Sequence, residues 1–158
     1  MIIRDACTKD TDQILVLTND VADKHGLNRP DIFKQHPYHI SKEKIEHNIE
    51  SETHRVIVAE ENEVIIGVIL CSIRCYLDDA KYKDSKIISI EDTCIAPAFR
   101  GQRVGSKLLE YIKEIAREIG CCRLEVNVWS FNLESEAFFR ANGFTDQRIV
   151  MEYCADDK

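Results

Sequence analysis

The stretch from Ile88 to Ile119 constrains this chain more than any other. An apolar run, Ile88 to Ile95, meets Ala96-Pro97 and a turn that carries Arg100 and Gly101. A long amphipathic pattern follows, with Val104, Leu108, Leu109, Ile112, Ile115, Ala116 and Ile119 on one helical face. Gly120 ends it. From Arg100 to Lys107 the chain carries two glycines, one serine and three basic residues. A loop that exposes backbone N–H groups and then starts a helix suits a phosphate-bearing ligand.

The remaining segments fall into order around that stretch. Met1 to Ala6 reads as a first strand. Thr8 is the expected cap of a helix with Ile14, Leu15, Leu17, Val21 and Ala22 on its apolar face, ending at His25-Gly26. Leu27 to Ile40 reads as loop, and Ser41 caps a short helix with Ile45 and Ile49 one turn apart. His54 to Glu60 and Val64 to Tyr76 read as a hairpin linked by Glu61-Asn62-Glu63. Lys86 to Ile95 is the third long strand, and Cys122 to Val128 another. A helix from Asn132 to Ala141 follows, then Asn142-Gly143 and a last strand within Phe144 to Cys154.

The order β-α-α-β-β-β-α-β-α-β predicts a mixed, mostly antiparallel twisted sheet with flanking helices. The 158 residues suit one domain with a sizeable core. The net charge of −7 argues against a nucleic-acid binder. No apolar run reaches the length of a membrane span, and the N-terminus lacks a signal-peptide pattern. Seven cysteines, an odd number with several in apolar strand-like runs and no export signal, fit reduced, mostly buried thiols in a cytoplasmic protein. No CxxC pair points to zinc, and nothing fixes the geometry of His36, His39, His47 and His54, so no metal is expected.

Spacing then narrows the loop's ligand. A nucleotide P-loop needs G-x-x-x-x-G-K-S/T. Here three residues separate Gly101 from Gly105, and Ser106 precedes Lys107. A dinucleotide fold needs G-x-G-x-x-G after the first strand, which is absent. What remains is a pyrophosphate held by consecutive N–H groups, with Arg100, Arg103 and Lys107 supplying local positive charge.

The run Ile95-x-Pro97-x-Phe99-Arg100-Gly101-x-x-Val104-Gly105-Ser106-x-Leu108-Leu109 resembles the acetyl-CoA-binding motif of the GNAT superfamily of N-acetyltransferases. The run Asn132-x-x-Ser135-x-x-Phe138-Phe139-x-x-x-Gly143-Phe144 resembles that superfamily's second motif. The resemblance spans essentially the whole chain and implies one N-acetyltransferase domain over residues 1–158, α/β in class, with acetyl-CoA as co-substrate. It implies that the strand ending at Ile95 splays from the parallel strand Cys122 to Val128. The pantetheine arm would pair near Thr93, Cys94 and Ile95, and the pyrophosphate would sit on the N–H groups from Gln102 through Arg103, Val104 and Gly105 to Ser106. Asn132 corresponds to the family's cofactor-contacting asparagine.

Two departures stand out. Arg103 replaces the first glycine of the family pattern Q/R-x-x-G-x-G/A. A side chain fits there only if the backbone does not need a positive φ. Phe139 replaces a tyrosine that in many members protonates the leaving thiolate, and it reads as core or cofactor-wall packing.

An amine must lose a proton before it attacks a thioester, which calls for a base. Glu91 is the candidate, with Asp92 expected on the opposite side of the strand. A backbone N–H near Ile95 would serve the oxyanion. Cys94 is adjacent but reads as an inert strand thiol. The expected acceptor is an amine of a small molecule or protein, met by Leu27 to Tyr38 and Leu77 to Ser85, with Phe33, Tyr38, Tyr82 and Trp129 as candidate walls. Asp31, Asp78, Asp79 and Glu91 lean towards a cationic acceptor. Glu134 and Glu136 read as a solvated helix face. No nucleic-acid or membrane partner is expected, and at most a second copy of the chain. The competing reading is a non-catalytic acyl-CoA-binding module on the same fold.

Overall fold

A computed structural model describes residues 1–34 and 40–155. The elements are β1 (Ile2–Asp5), α1 (Thr11–Asn28), α2 (Lys42–Glu50), β2 (His54–Glu61), β3 (Val64–Tyr76), β4 (Ser85–Ile95), α3 (Val104–Glu118), β5 (Arg123–Val126) and α4 (Leu133–Ala141). Short 3-10 turns occupy Thr8–Asp10 and Pro97–Phe99. Two compact units are present, Met1–Asn127 and Val128–Lys158.

The first unit holds a five-stranded sheet in the order β1-β2-β3-β4-β5. Neighbours up to β4 pair antiparallel, and β4 pairs with β5 in parallel. Only a crossover can make that last pair, and α3 supplies it. The turn Asn62-Glu63 joins β2 to β3 with φ of 51° and 65°. Two positive φ values match the twist of a tight hairpin, so Glu61 belongs to the strand and the link is one residue shorter than expected.

Strand alternation divides the apolar residues between two faces. Val56, Val58, Val68, Leu70 and Cys94 pack with Ile14 and Leu17 of α1 and Ile45 of α2. The neighbouring position Gly67 meets Val104 and Leu108 of α3, beside the Ile95 side chain. Ser41 Oγ accepts the Lys44 N–H and caps α2 as expected. Gly120, at φ 72°, closes α3: its N–H reaches Arg117 C=O, and the Cys121 N–H reaches Ala116 C=O.

The start and end of α1 differ from expectation. Thr8 opens a 3-10 turn rather than capping the helix, and Asp10 Oδ2 accepts the Cys7 N–H at 2.8 Å. Gly26 lies inside α1, which runs on to Asn28. The glycine's cost of about 1 kcal/mol in a helix is small enough for the continuing ladder to outweigh it.

Asp10 is buried and held bidentately by Arg4 at 2.7 and 2.9 Å, while Arg4 also reaches Glu60. The Arg4 hydrogen bonds hold the Asp10 carboxyl below the usual carboxylate range. Its contribution is therefore complete above about pH 4 and is lost as pH falls through the depressed folded-state value. Asp10→Ala is expected to cost about 2–3 kcal/mol at pH 7, reduced from a fully buried pair because Arg4 is partly exposed. Urea midpoints should show that difference shrinking on acidification; an unchanged gap would remove this pair from the acid response.

The second unit is organised by α4. Asn132 caps it, its Oδ1 accepting the Ser135 N–H at 3.4 Å. Gly143 at φ 89° closes it, with Gly143 N–H to Arg140 C=O and Phe144 N–H to Phe139 C=O. The expected last strand within Phe144 to Cys154 is not formed. Its composition is strand-like, but a strand exists only through a neighbour's ladder. Ile149 and Val150 are instead 84% and 85% exposed.

Candidate functional site

The site starts from a register shift. Leu70 pairs with Asp92, whereas Cys71 pairs with Ile90. Glu91 is thus the extra residue of a β-bulge on β4. Bulges re-aim a side chain and are common beside active sites. The strand alternation that would place Asp92 opposite Glu91 is interrupted here, and Glu91 is exposed. Its carboxylate acts electrostatically on the Cys71 thiol and the His54 imidazole.

The parallel ladder ends at the same place. The β4–β5 pairing runs from Ile87–Arg123 to Ile90–Val126, while the β3–β4 pairing continues to Gly67–Ile95. From Glu91 onward β4 keeps β3 and leaves β5. The stretch left behind is Thr93, Cys94 and Ile95. Thr93 Oγ1 is buried there with no hydrogen-bond partner.

At the end of that stretch the loop turns into α3. Arg100 Nε donates to Ile95 C=O at 3.1 Å, and Gln102 Nε2 donates to Ala98 C=O at 2.9 Å, bracing the turn from both sides. The Lys107 N–H is the first to reach back, to Arg103 C=O at 3.1 Å. The N–H groups of Val104, Gly105 and Ser106 precede it and point along the positive end of the helix dipole. No acidic residue occupies the first turn of α3. Arg100, Arg103 and Lys107 are exposed around it. This donor set fits a pyrophosphate, and the β4 stretch beside it fits an extended amide arm.

Arg103 takes the conformation that its side chain disfavours, φ 63° and ψ 15°. The condition for a side chain at this position is not met, so the loop carries strain of about 1 kcal/mol. Arg103→Gly is expected to leave stability unchanged or raise it by up to about 1 kcal/mol, since glycine's own entropy cost offsets part of the relief. Paired urea melts and acetyl-CoA titrations would separate backbone strain from phosphate contact. A several-fold loss of affinity without a stability loss would assign the guanidinium to the ligand.

Sequence reasoning missed two residues. Gly67 on β3 faces the start of α3: a Cβ there would lie 2.8 Å from Ile95 Cδ1, 3.1 Å from Val104 Cγ1 and 3.2 Å from Leu108 Cδ1. An isolated glycine inside a strand pattern signals such a close approach. In the sequence His54 stands out only among histidines that could be weighed as metal ligands. It sits at the start of β2 opposite Ser72, with its ring 6.2 Å from that of His47. Burial lowers its pKa, with Glu91 pulling the other way.

The other candidates resolve into packing or lie elsewhere. Cys94 joins the core under α1 and α2. Cys71 is buried, and burial pushes its thiol well above the usual range, so it is no nucleophile. In the second unit, Phe139 is buried, with ring contacts of 5.1 Å to Phe138 and 5.2 Å to Phe144. Asn132 is the α4 cap. Trp129 stacks on Phe131, and Glu136 pairs with Arg140. Asp31 pairs with Arg29, and Asp79 Oδ1 accepts the Lys81 and Tyr82 N–H groups. Those engagements weaken the reading of both as acceptor contacts. Phe33 packs on His25, and Tyr82 on Tyr76. His36, Tyr38 and His39 lie outside the described residues. Among the described residues no group of three or more His, Cys, Asp or Glu side chains is arranged to hold a metal.

A parallel pair whose ladder ends at a bulge, leading into a basic loop at a helix start, suits a phosphate-bearing ligand with an extended arm. Residues 19–144 match the acetyltransferase (GNAT) family. The chain belongs to that family. The thialysine N-epsilon-acetyltransferase of Bos taurus is 34% identical over 59 residues, 37% of this chain and about a third (35%) of that protein's length. The aminoalkylphosphonate N-acetyltransferase of Salmonella typhimurium is 24% identical over 142 residues, 90% of this chain and 83% of that protein. Among solved structures, a mutant form of the BH1408 protein from Bacillus halodurans superposes with a TM-score of 0.93 at 24% identity, covering 98% of this chain and 99% of the other. The aminoglycoside N-acetyltransferase AAC(6')-Iy in complex with CoA superposes at 0.71 and 18% identity, covering 98% and 99%. The expected fold class is confirmed, save for its last strand.

Proposed function

We propose that this protein, acting as one domain over residues 1–158, transfers the acetyl group of acetyl-CoA directly to an amine of a small molecule or protein. The observation that carries this reading is the end of the β4–β5 ladder at Glu91, followed by the donor-rich start of α3. The thialysine and aminoalkylphosphonate N-acetyltransferases, both named for amine acetylation, support that reaction class.

In this reading Val104, Gly105 and Ser106 hold the pyrophosphate with Gln102 and Arg103, and Arg100 and Lys107 add charge. Thr93, Cys94 and Ile95 align the pantetheine arm, with the Thr93 hydroxyl gaining the partner it lacks. Acetyl-CoA supplies the activated acyl group; the chain supplies position and a base. Glu91 accepts the amine's proton, directly or through a water, as nitrogen attacks the thioester carbon. The C–S bond breaks, and a backbone N–H at Ile95 stabilises the carbonyl oxygen. Phe139 has no proton to give, so the sulfur leaves as thiolate and is protonated by solvent. The family motif implies cofactor contacts for Asn132 and Phe139 as well, which within the second unit cap α4 and pack against Phe138 and Phe144. The cytoplasm is the proposed compartment, since an odd set of seven cysteines suits a reducing environment, although only Cys71 and Cys94 are buried rather than most of the seven.

Thiol release from acetyl-CoA across a panel of primary amines tests the reaction. Turnover with at least one amine is the expected result. Acetyl-CoA binding by calorimetry with no turnover on any amine would replace this reading with the non-catalytic acyl-CoA-binding module, which the buried Phe139 favours.

A further inference from the structure

A row of polar residues crosses the sheet on the face that packs under α1 and α2. His54 on β2 lies directly opposite Ser72 on β3, and Ser72 lies directly opposite Ser89 on β4. Directly opposed residues share a face. The next pair on that face, Val56 and Leu70, belongs to the core with Ile14 and Ile45. Ser72 and Ser89 are buried, and Ser72 Oγ has no hydrogen-bond partner among the described residues. A buried hydroxyl without a partner weakens the fold, so its place in a core face calls for a reason.

The row runs beside the bulge. On β4, Glu91 is inserted between Ile90, which follows Ser89, and Asp92, the partner of Leu70. Among the described residues no hydrogen bond or ion pair engages the Glu91 carboxylate. Across β3, the His54 ring is fixed by one nitrogen: Nδ1 lies 3.2 Å from both Ser51 Oγ and Thr53 Oγ1. Its Nε2 has no hydrogen-bond partner among the described residues. The charged groups that act on His54 are Glu91 from β4 and Lys44 and His47 from α2, and Glu91 acts most strongly. Burial holds the imidazole below its ordinary value, so the ring is neutral at pH 7 and able to take a proton. Two strand spacings, roughly 10 Å, separate β4 from β2. The two long side chains cover part of that gap, and Ser72 stands on the strand between them. A hydroxyl both accepts and donates, which is what a relay requires.

We propose that His54 is a positioning residue for the transfer: through the Ser72 hydroxyl and bridging water it takes the proton that Glu91 removes from the amine and hands it to solvent. The proposal rests on the reading of Glu91 as the base. The proton count closes. The amine gives one proton to the Glu91 carboxylate as its nitrogen bonds to the acyl carbon, leaving a carboxylic acid at Glu91. That acid passes the proton along water and Ser72 to His54 Nε2, which becomes imidazolium, and the carboxylate is restored. The imidazolium then loses the proton to solvent on the side of His47 and Thr53, which are exposed. No bond between heavy atoms changes in the relay. With acetyl-CoA and the amine over Glu91, the direct way out is covered, and the row across β3 is a path that remains. A Glu91 left protonated could not act as base in the next turnover.

Steady-state kinetics on the full chain, with acetyl-CoA and the best amine of the panel, provide the test. His54→Ala should lower kcat about tenfold, less than loss of the base itself, with KM for acetyl-CoA unchanged. Added imidazole should restore most of that rate. Ser72→Ala should lower kcat several-fold while its melting temperature holds or rises, because it removes a buried hydroxyl that lacks a partner. A purely structural role predicts neither the imidazole rescue nor activity lost at full stability. An unchanged kcat in His54→Ala, or a loss that imidazole does not restore, would overturn the proposal and leave the acetyl-transfer reading standing. No turnover by the unaltered chain would overturn that reading and the proposal with it. If His54→Ala fails to fold, the titration of the His54 ring followed by NMR in the unaltered chain and in Glu91→Gln decides. A lower midpoint without the Glu91 charge is expected; an unchanged midpoint would show that the two groups do not communicate and would overturn the proposal.

Discussion

Glu91→Gln is expected to lower kcat/KM for the amine acceptor by about 10²-fold or more, the usual worth of a positioned general base. The loss should be largest at low pH, where most of the amine is protonated, and should narrow as pH approaches the amine's own pKa. Affinity for acetyl-CoA should stay within about twofold, since glutamine keeps the shape of the side chain and the reading gives Glu91 no contact with the pyrophosphate. A rate unchanged across pH would take Glu91 out of the mechanism and leave the bulge as a purely structural device. The expectation rests on position: Glu91 is the residue that the bulge inserts between Ile90 and Asp92, at the point where β5 leaves β4.

Gly67→Val should act from β3, the strand that pairs with β4. Even the first carbon of a side chain would lie 2.8 Å from Ile95 Cδ1 and 3.1 Å from Val104 Cγ1. Ile95 Cδ1 is the mobile end of a side chain, so alanine is expected to cost only about 1 kcal/mol, whereas valine should cost about 3 kcal/mol by overpacking. Because Val104 opens α3, the displaced turn carries the N–H groups of Gly105 and Ser106 with it. Acetyl-CoA affinity should then fall by about tenfold in the valine variant, beyond what its folded fraction accounts for. Urea melts and calorimetric titrations measure the two effects separately. Full affinity in a destabilised valine variant would show that the loop's position is set without Gly67.

Both predictions concern residues whose importance is unequal in the sequence. Glu91 is visible as a carboxylate in an apolar strand, but nothing local says that it is the unpaired residue of a bulge. Gly67 is visible as a strand glycine, but its neighbours Val104 and Leu108 are some 40 positions away. Arg103 shows a third kind of limit. Its place in the motif is plain, yet whether its φ is positive depends on how the turn from Pro97 meets α3.

The local elements follow from the sequence alone. The apolar stripe of α3, the Ser41 cap, the glycine after α3 and the strand pair around Asn62 are short-range patterns, and each encodes its own geometry within a few residues. The basic loop from Arg100 to Lys107 and its distance from Asn132 are equally sequence properties, and they were enough to point to the family. Register and partnership are of another kind. Where a ladder slips by one residue, where it stops, and whether an apolar run finds a strand to join depend on contacts between distant segments. For that reason the tertiary structure alone decided that Glu91 sits on a bulge, that the β4–β5 ladder stops at Ile90, and that Ile149, Val150, Met151 and Tyr153 stand exposed rather than in a strand.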